Sequence, residues 1–195
     1  MMPRPKLEDA RSRLLVSGLG LFSSHGSERV NSNAIARAAG LGIGTFYFHF
    51  ANKYAVLWEL QLRTLAGLRA ARAAPRDSAD PIRATVAAAV GFAREHAEAY
   101  LVCFGRERAA AAHHGPVLCE SSRPIAEALR VLQATGEIEL ALDAELAARA
   151  YLSMEAGLIL WWLEDPKRAE ADALVETLVR MHPARTGRRT APPSR

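Results

Sequence analysis

Cysteine is nearly absent from this 195-residue chain: Cys103 and Cys119 are its only two. Two cysteines cannot build a disulfide framework, so a reducing compartment, the cytoplasm, is expected. Long hydrophobic runs are missing too. No stretch of about 18 apolar residues occurs, so no membrane span is expected. The N-terminal segment MMPRPKLEDAR lacks the apolar core of a secretory signal. Strand-type runs of Val, Ile and Thr are scarce, whereas Ala is abundant and half of the residues are hydrophobic. This balance predicts an all-α protein with enough apolar mass for a sizeable core.

Charge is unevenly spread. Residues 1–60 hold seven Lys/Arg against four Asp/Glu, and residues 61–182 hold fourteen against seventeen. The stretch 183–195 adds four arginines and no acid. A basic first segment beside an acidic body is what a nucleic-acid contact at one end requires, and it is also what ordinary surface charge can give.

Helical periodicity starts after Pro3 and Pro5. Leu14, Leu15, Gly18, Leu21 and Phe22 share one stripe, and His25-Gly26 closes that helix. Asn31 is placed to cap a short helix over 32–39, which Gly40 stops. A third short helix is expected from Gly42 to Phe50, although Thr45-Phe46-Tyr47-Phe48-His49-Phe50 has the composition of a strand. A long helix follows from Lys53 to about Ala71, with Val56, Leu57, Leu60, Thr64, Leu65 and Leu68 inward. Further helices are expected over 81–96, 97–111, 122–135, 144–163 and 168–181. The polar, Pro-containing stretch 183–195 reads as a disordered basic tail.

Two short helices joined at Gly40-Leu41 have the form of a helix-turn-helix. Ala36 allows close helix crossing, and Gly40 tolerates the positive φ that such a turn needs. Ile35, Ala38, Phe46 and Phe50 supply an apolar seam, which leaves Gly44, Tyr47 and Phe48 on roughly the opposite face. From Arg13 to Leu57 the residues resemble, without gaps, the DNA-binding domain of the TetR family of repressors. The run A-x-x-A-G-L-x-x-G-T-F-Y-x-H-F-x-x-K, from Ala36 to Lys53, carries most of that resemblance.

The resemblance implies a DNA-binding domain over 1–52 and a helical effector-binding and dimerisation domain over 53–182. It implies a regulator, most simply a repressor released from operator DNA by a small molecule. The third helix would enter the major groove. Thr45, Tyr47 and Lys53 match phosphate-holding positions, with His49 beside them. Ile43, Gly44, Phe48 and Asn33 match positions near base edges. Arg37, one turn beyond Asn33, either reaches a phosphate or is solvated. Gly42 stands where a serine cap is usual, and Tyr54 where an acid is usual. Because Ile43, Gly44 and Phe48 offer bases few hydrogen-bond donors, apolar contact with thymine methyls and DNA shape gain weight.

Resemblance to the family weakens beyond Leu57 and returns over Leu132–Leu163. Leu146, Ala150, Tyr151, Met154, Gly157, Leu158 and Trp161 form one stripe, and Leu174 and Leu178 lie on a second. Two such helices from each subunit would make the four-helix interface of a homodimer, or they face their own core. Phe92, His96, Tyr100, Cys103, Phe104, Met154 and Trp162 are candidate lining residues for an apolar or aromatic effector, or they are simple core packing. His96 and Tyr100, four apart, are the polar pair among them.

Cys103, His113, His114 and Cys119 have metal-donor chemistry but match no structural zinc spacing, so neither metal nor cofactor is expected. A redox role for the two cysteines would need exposed thiols. Two other function classes compete with the regulator: an enzyme using Cys and His in a helical pocket, and a helical partner-binding module. No nucleophile elbow, phosphate loop or clustered acid-base motif favours the enzyme.

Overall fold

The computed structural model describes residues 7–73, 78–105, 119–139, 141 and 143–187. Among them the chain is helical, with no β-strand. The α-helices are α1 (Leu7–His25), α2 (Ser32–Ala38), α3 (Ile43–His49), α4 (Lys53–Ala73), α5 (Pro81–Glu95), α6 (Ala97–Phe104), α7 (Cys119–Ala134), α8 (Ala144–Glu164), α9 (Ala171–Arg180) and α10 (Pro183–Thr186). The expected all-α class holds, and none of these helices is long and apolar enough to cross a membrane.

Two compact units divide the chain: Met1–Ala70 with Arg94–Gly115, and Ala71–Ala93 with Pro116–Arg195. The division differs from the sequence-based boundary at 52/53. The first unit keeps α4 as far as Ala70 and takes in α6, which packs on α1.

In the first unit one core joins Leu14, Leu15 and Phe22 of α1, Ile35 and Ala36 of α2, Phe46 of α3, and Val56, Leu57 and Leu60 of α4. Val102 of α6 closes it. Gly18 lets α1 and α4 approach, since a Cβ there would lie 2.7 Å from Val56 Cγ1. The inward residues expected on α4 are all buried, joined by Gln61. Gly26, at φ 78°, ends α1 as expected.

In the second unit Ala126 and Leu129 of α7 pack with Ala144, Ala147 and Ala148 of α8, Ile138 and Ala184. Small residues on α8 let the two helices sit close. A charged group also lies inside this unit. Glu155 is 1% exposed and is ion-paired with Arg72. Beside it the Tyr151 hydroxyl donates to the Leu178 carbonyl at 3.3 Å. Burial and the neighbouring Glu155 charge keep that phenol protonated far above its ordinary range. His182 stacks edge-on against the Tyr151 ring, 4.7 Å between centroids.

The expectation of a disordered tail from residue 183 fails for its first five residues. His182 Nδ1 accepts from the Ala184 amide and starts α10, and Pro183 and Ala184 are buried. Arg185 pairs with Asp80 at 2.5 Å, and the Glu139 amide donates to the Gly187 carbonyl at 2.7 Å. Composition marked this segment as polar but could not show that Ala126 and Ile138 leave a seat for Ala184. The rest of the expected tail, 188–195, lies outside the described residues.

Candidate nucleic-acid interface

Each of α2 and α3 is only seven residues long, so neither holds by propensity alone. Asn31 Oδ1 accepts from the Ala34 amide at 2.9 Å, as the cap reading anticipated. Gly42 starts α3 without a side-chain cap, so α3 depends on burial of Phe46 and Phe50 rather than on its own ends. Gly40 takes φ 65° in the turn, and the Leu41 amide donates to the Ala36 carbonyl at 2.9 Å. Arg13 fastens this turn to α1 by donating to the Ala39 carbonyl.

Burying Phe46 turns the rest of α3 outward. Phe48 is 70% exposed, Tyr47 57% and Ile43 37%. Gly44 is exposed as well, and a Cβ added there would meet nothing within 4 Å. Thr45 and His49 are half-buried, and His49 Nε2 has no hydrogen-bond partner. Asn33 and Arg37 are exposed on α2. From Arg29 to Trp58 the sequence contains no acid, while Arg29, Arg37 and Lys53 are cationic. An acid-free stretch with exposed hydroxyl, amide, guanidinium and aromatic groups suits a polyanion with stacked bases.

Lys53 also has contacts within the chain. Its ammonium donates to the Ser27 carbonyl at 2.7 Å and lies 5.0 Å from the Tyr54 ring centre. It ties the start of α4 to the turn after α1, and an ammonium has three N–H donors, so this contact leaves donors over.

Residues 14–60 match the family model described as bacterial regulatory proteins, tetR family. Over these residues the chain is similar to the tetR family. Solved structures carry the likeness past them. The fatty acid degradation regulator FadR of Bacillus halodurans superposes with a TM-score of 0.72 at 17% identity, covering 93% of this chain and 96% of that one. FadR of Bacillus subtilis in complex with stearoyl-CoA gives 0.71 at 15% identity, covering 89% and 98%. The TetR-family regulator PfmR of Thermus thermophilus gives 0.66 at 24% identity, covering 87% and 97%. These likenesses extend the shared fold over most of the chain. Comparison with curated proteins finds no match.

The residues expected at effector and dimer contacts fall in both units. In the first unit Tyr100, Cys103 and Phe104 are buried, with Tyr100 and Phe104 stacked at 4.5 Å. His96 does not join them. The helix breaks at His96, which takes φ −120° and stands exposed at the start of α6. Burial pushes the Cys103 thiol up to about 12, so it stays protonated at neutral pH.

In the second unit Trp162 is buried and donates from Nε1 to the Ala169 carbonyl at 2.9 Å, while Phe92 and Met154 are half-buried. Tyr151, Leu174 and Leu178 are also buried there in the single chain, with Tyr151 lining an open pocket beside Ala150 and Met154. Leu146, Ala150, Gly157 and Trp161 remain exposed along α8, with Leu158 half-buried. A stripe at helical spacing shows that a face is apolar but not what covers it, and α9 covers Tyr151's side of the α8 stripe. His113 and His114 lie outside the described residues, as does the side chain of Cys119. Among the described residues no group of three His, Cys, Asp or Glu is placed to hold a metal.

Proposed function

We propose that this protein is a transcriptional repressor that grips operator DNA with α2 and α3 as a homodimer and releases it when a small apolar or aromatic effector binds. The observation that carries the DNA half is the outward face of α3, exposed at Ile43, Tyr47 and Phe48 over a rigidly buried Phe46, within an acid-free stretch. Tyr47 and Thr45 fix register on phosphates, and Asn33 reads a base edge by paired hydrogen bonds. The exposed α8 face, centred on Ala150, Gly157 and Trp161, is where a second copy docks, and its two-fold symmetry matches paired half-sites. The effector half draws support from the fold shared with a FadR in complex with stearoyl-CoA.

Fluorescence anisotropy with duplexes upstream of the protein's own gene, and with duplexes selected from a random library, tests this reading. Sequence-dependent binding that weakens on adding stearoyl-CoA or an aromatic ligand is expected. The ligand acts only by preferring the DNA-incompetent state, so operator DNA must weaken ligand binding by the same factor. Absence of sequence-dependent binding returns the protein to the partner-binding or enzymatic classes.

A further inference from the structure

Helix α3, IGTFYFH, contains no Asn, Gln, Arg, Lys, Asp or Glu. Those side chains make the paired hydrogen bonds by which guanine, adenine and cytosine are told apart in the major groove. Its exposed face carries apolar carbon instead. Phe48 is the more exposed of its two side chains of this kind, at 70%, and Ile43 stands at 37%. The Phe48 ring is held edge-on against His49, 5.1 Å between centroids and perpendicular. Gly44 lies one helical turn before Phe48 with open space where its side chain would be. The backbone there can approach the groove floor more closely than any larger residue would allow.

Only one apolar group projects into the major groove of B-DNA, the C5-methyl of thymine. We infer that Phe48 and Ile43 select operator half-sites by packing on thymine methyls, so that α3 recognises a methyl pattern rather than a hydrogen-bond pattern. The inference rests on the DNA-binding reading above and names the chemistry of its target. The absence of acid from Arg29 to Trp58 supports DNA over a second protein as occupant of this apolar face.

Uracil in place of thymine deletes the methyl and leaves every hydrogen-bonding group in place, which makes it the decisive probe. The full chain is used to select binding duplexes from a random-sequence library. The best duplex is then remade with uracil at each thymine in turn, and affinity is measured by anisotropy. Loss of one well-buried methyl contact should weaken binding about four-fold, and about sixteen-fold when both half-sites are changed together. In Phe48→Ala or Ile43→Ala protein the methyl effect should vanish at the matching position. Both side chains are exposed, so both variants should melt like the wild type. Two results overturn the inference while sparing the DNA-binding reading. One is less than two-fold change with uracil throughout the half-site; the other is a methyl effect of equal size in both alanine variants. Failure to select any sequence overturns both. A Phe48→Ala protein with unchanged DNA affinity but an altered oligomeric state overturns the inference alone, since a protein partner would then own this face.

Discussion

Arg13 donates from Nη2 to the carbonyl of Ala39 at 2.5 Å, so a residue on α1 holds the end of α2 just where the chain turns toward α3. A Cβ at Gly40 would stand 2.8 Å from that same Nη2, in a residue already at φ 65°. Arg13→Ala leaves a buried residue's carbonyl without its donor and should cost about 1–2 kcal/mol. Gly40→Ala should cost a similar amount through its backbone and should displace Arg13 as well. Urea unfolding of both single variants and the double variant checks this. The double variant should lose less than the sum, because both changes remove the same contact.

Lys53 gives a second test of the turn's architecture. Its ammonium is engaged by the Ser27 carbonyl, with that of Glu28 at 3.5 Å. Lys53→Met should lower stability by roughly 1–2 kcal/mol, the usual range for a hydrogen bond from a charged donor. The slope of log affinity against log salt should stay unchanged. A fall of about 0.9 would show that the ammonium neutralises a phosphate after all.

Gly44→Ala separates folding from recognition. Its new methyl meets nothing in the chain, and Ala favours a helix over Gly by up to about 1 kcal/mol. The melting temperature should therefore rise slightly while operator affinity falls, because the methyl would stand between α3 and the base edges. Higher stability with unchanged affinity would place α3 farther from the groove floor.

His182 ties stability to pH. Burial, then the nearby charges of Arg72 and Arg185, lowers its pKa from 6.5 to about 4. Folding thus favours the neutral ring. Above pH 6.5 neither state binds the proton and the full stability is present; as pH falls from 6.5 toward 4 the unfolded chain takes up a proton that the folded chain refuses, and stability is lost. The loss is at most about 1.4 kcal/mol per pH unit. His182→Asn keeps an acceptor for the Ala184 amide but does not titrate. The drop in melting temperature between pH 7.5 and 5 should be smaller in that variant.

Cys103 should resist modification. Its thiol is buried and stays protonated. In a Cys119→Ser background, iodoacetamide at pH 8 should label the folded protein at the rate of its global opening and the urea-unfolded protein at once. Rapid labelling of the folded form would restore Cys103 as a candidate redox sensor.

Much of the first unit was legible because its signals are local. Asn31, Gly40 and the spacing of apolar residues on α4 each act within a few residues, and each appears as read. What escaped depends on distant neighbours. Packing of α6 on α1 and the seat of Ala184 beside Ala126 join residues far apart in sequence. The boundary expected at 96/97 is where the helix breaks, and it leaves His96 exposed at the start of α6. Leu178 looked like interface because an apolar stripe has no label for its partner. Lys53 matched a motif position, yet its contact is set by the Ser27 carbonyl, which no pattern of side chains displays.

The ion pair of Arg72 and Glu155 constrains how this sequence can change. Replacing both by well-packed apolar residues is often neutral or favourable, but removing one leaves a lone charge inside the unit, at about 3–5 kcal/mol. Every one-step path from the paired form to an apolar form therefore crosses a chain that has spent a large share of a typical domain's stability. The crossing is steepest when Arg72 is lost first, since Glu155 is 1% exposed while the Arg72 side chain is 19% exposed. Descendants of this sequence are confined to keeping both residues or exchanging both at once, and a variant library built one position at a time will report two indispensable residues where there is one replaceable pair.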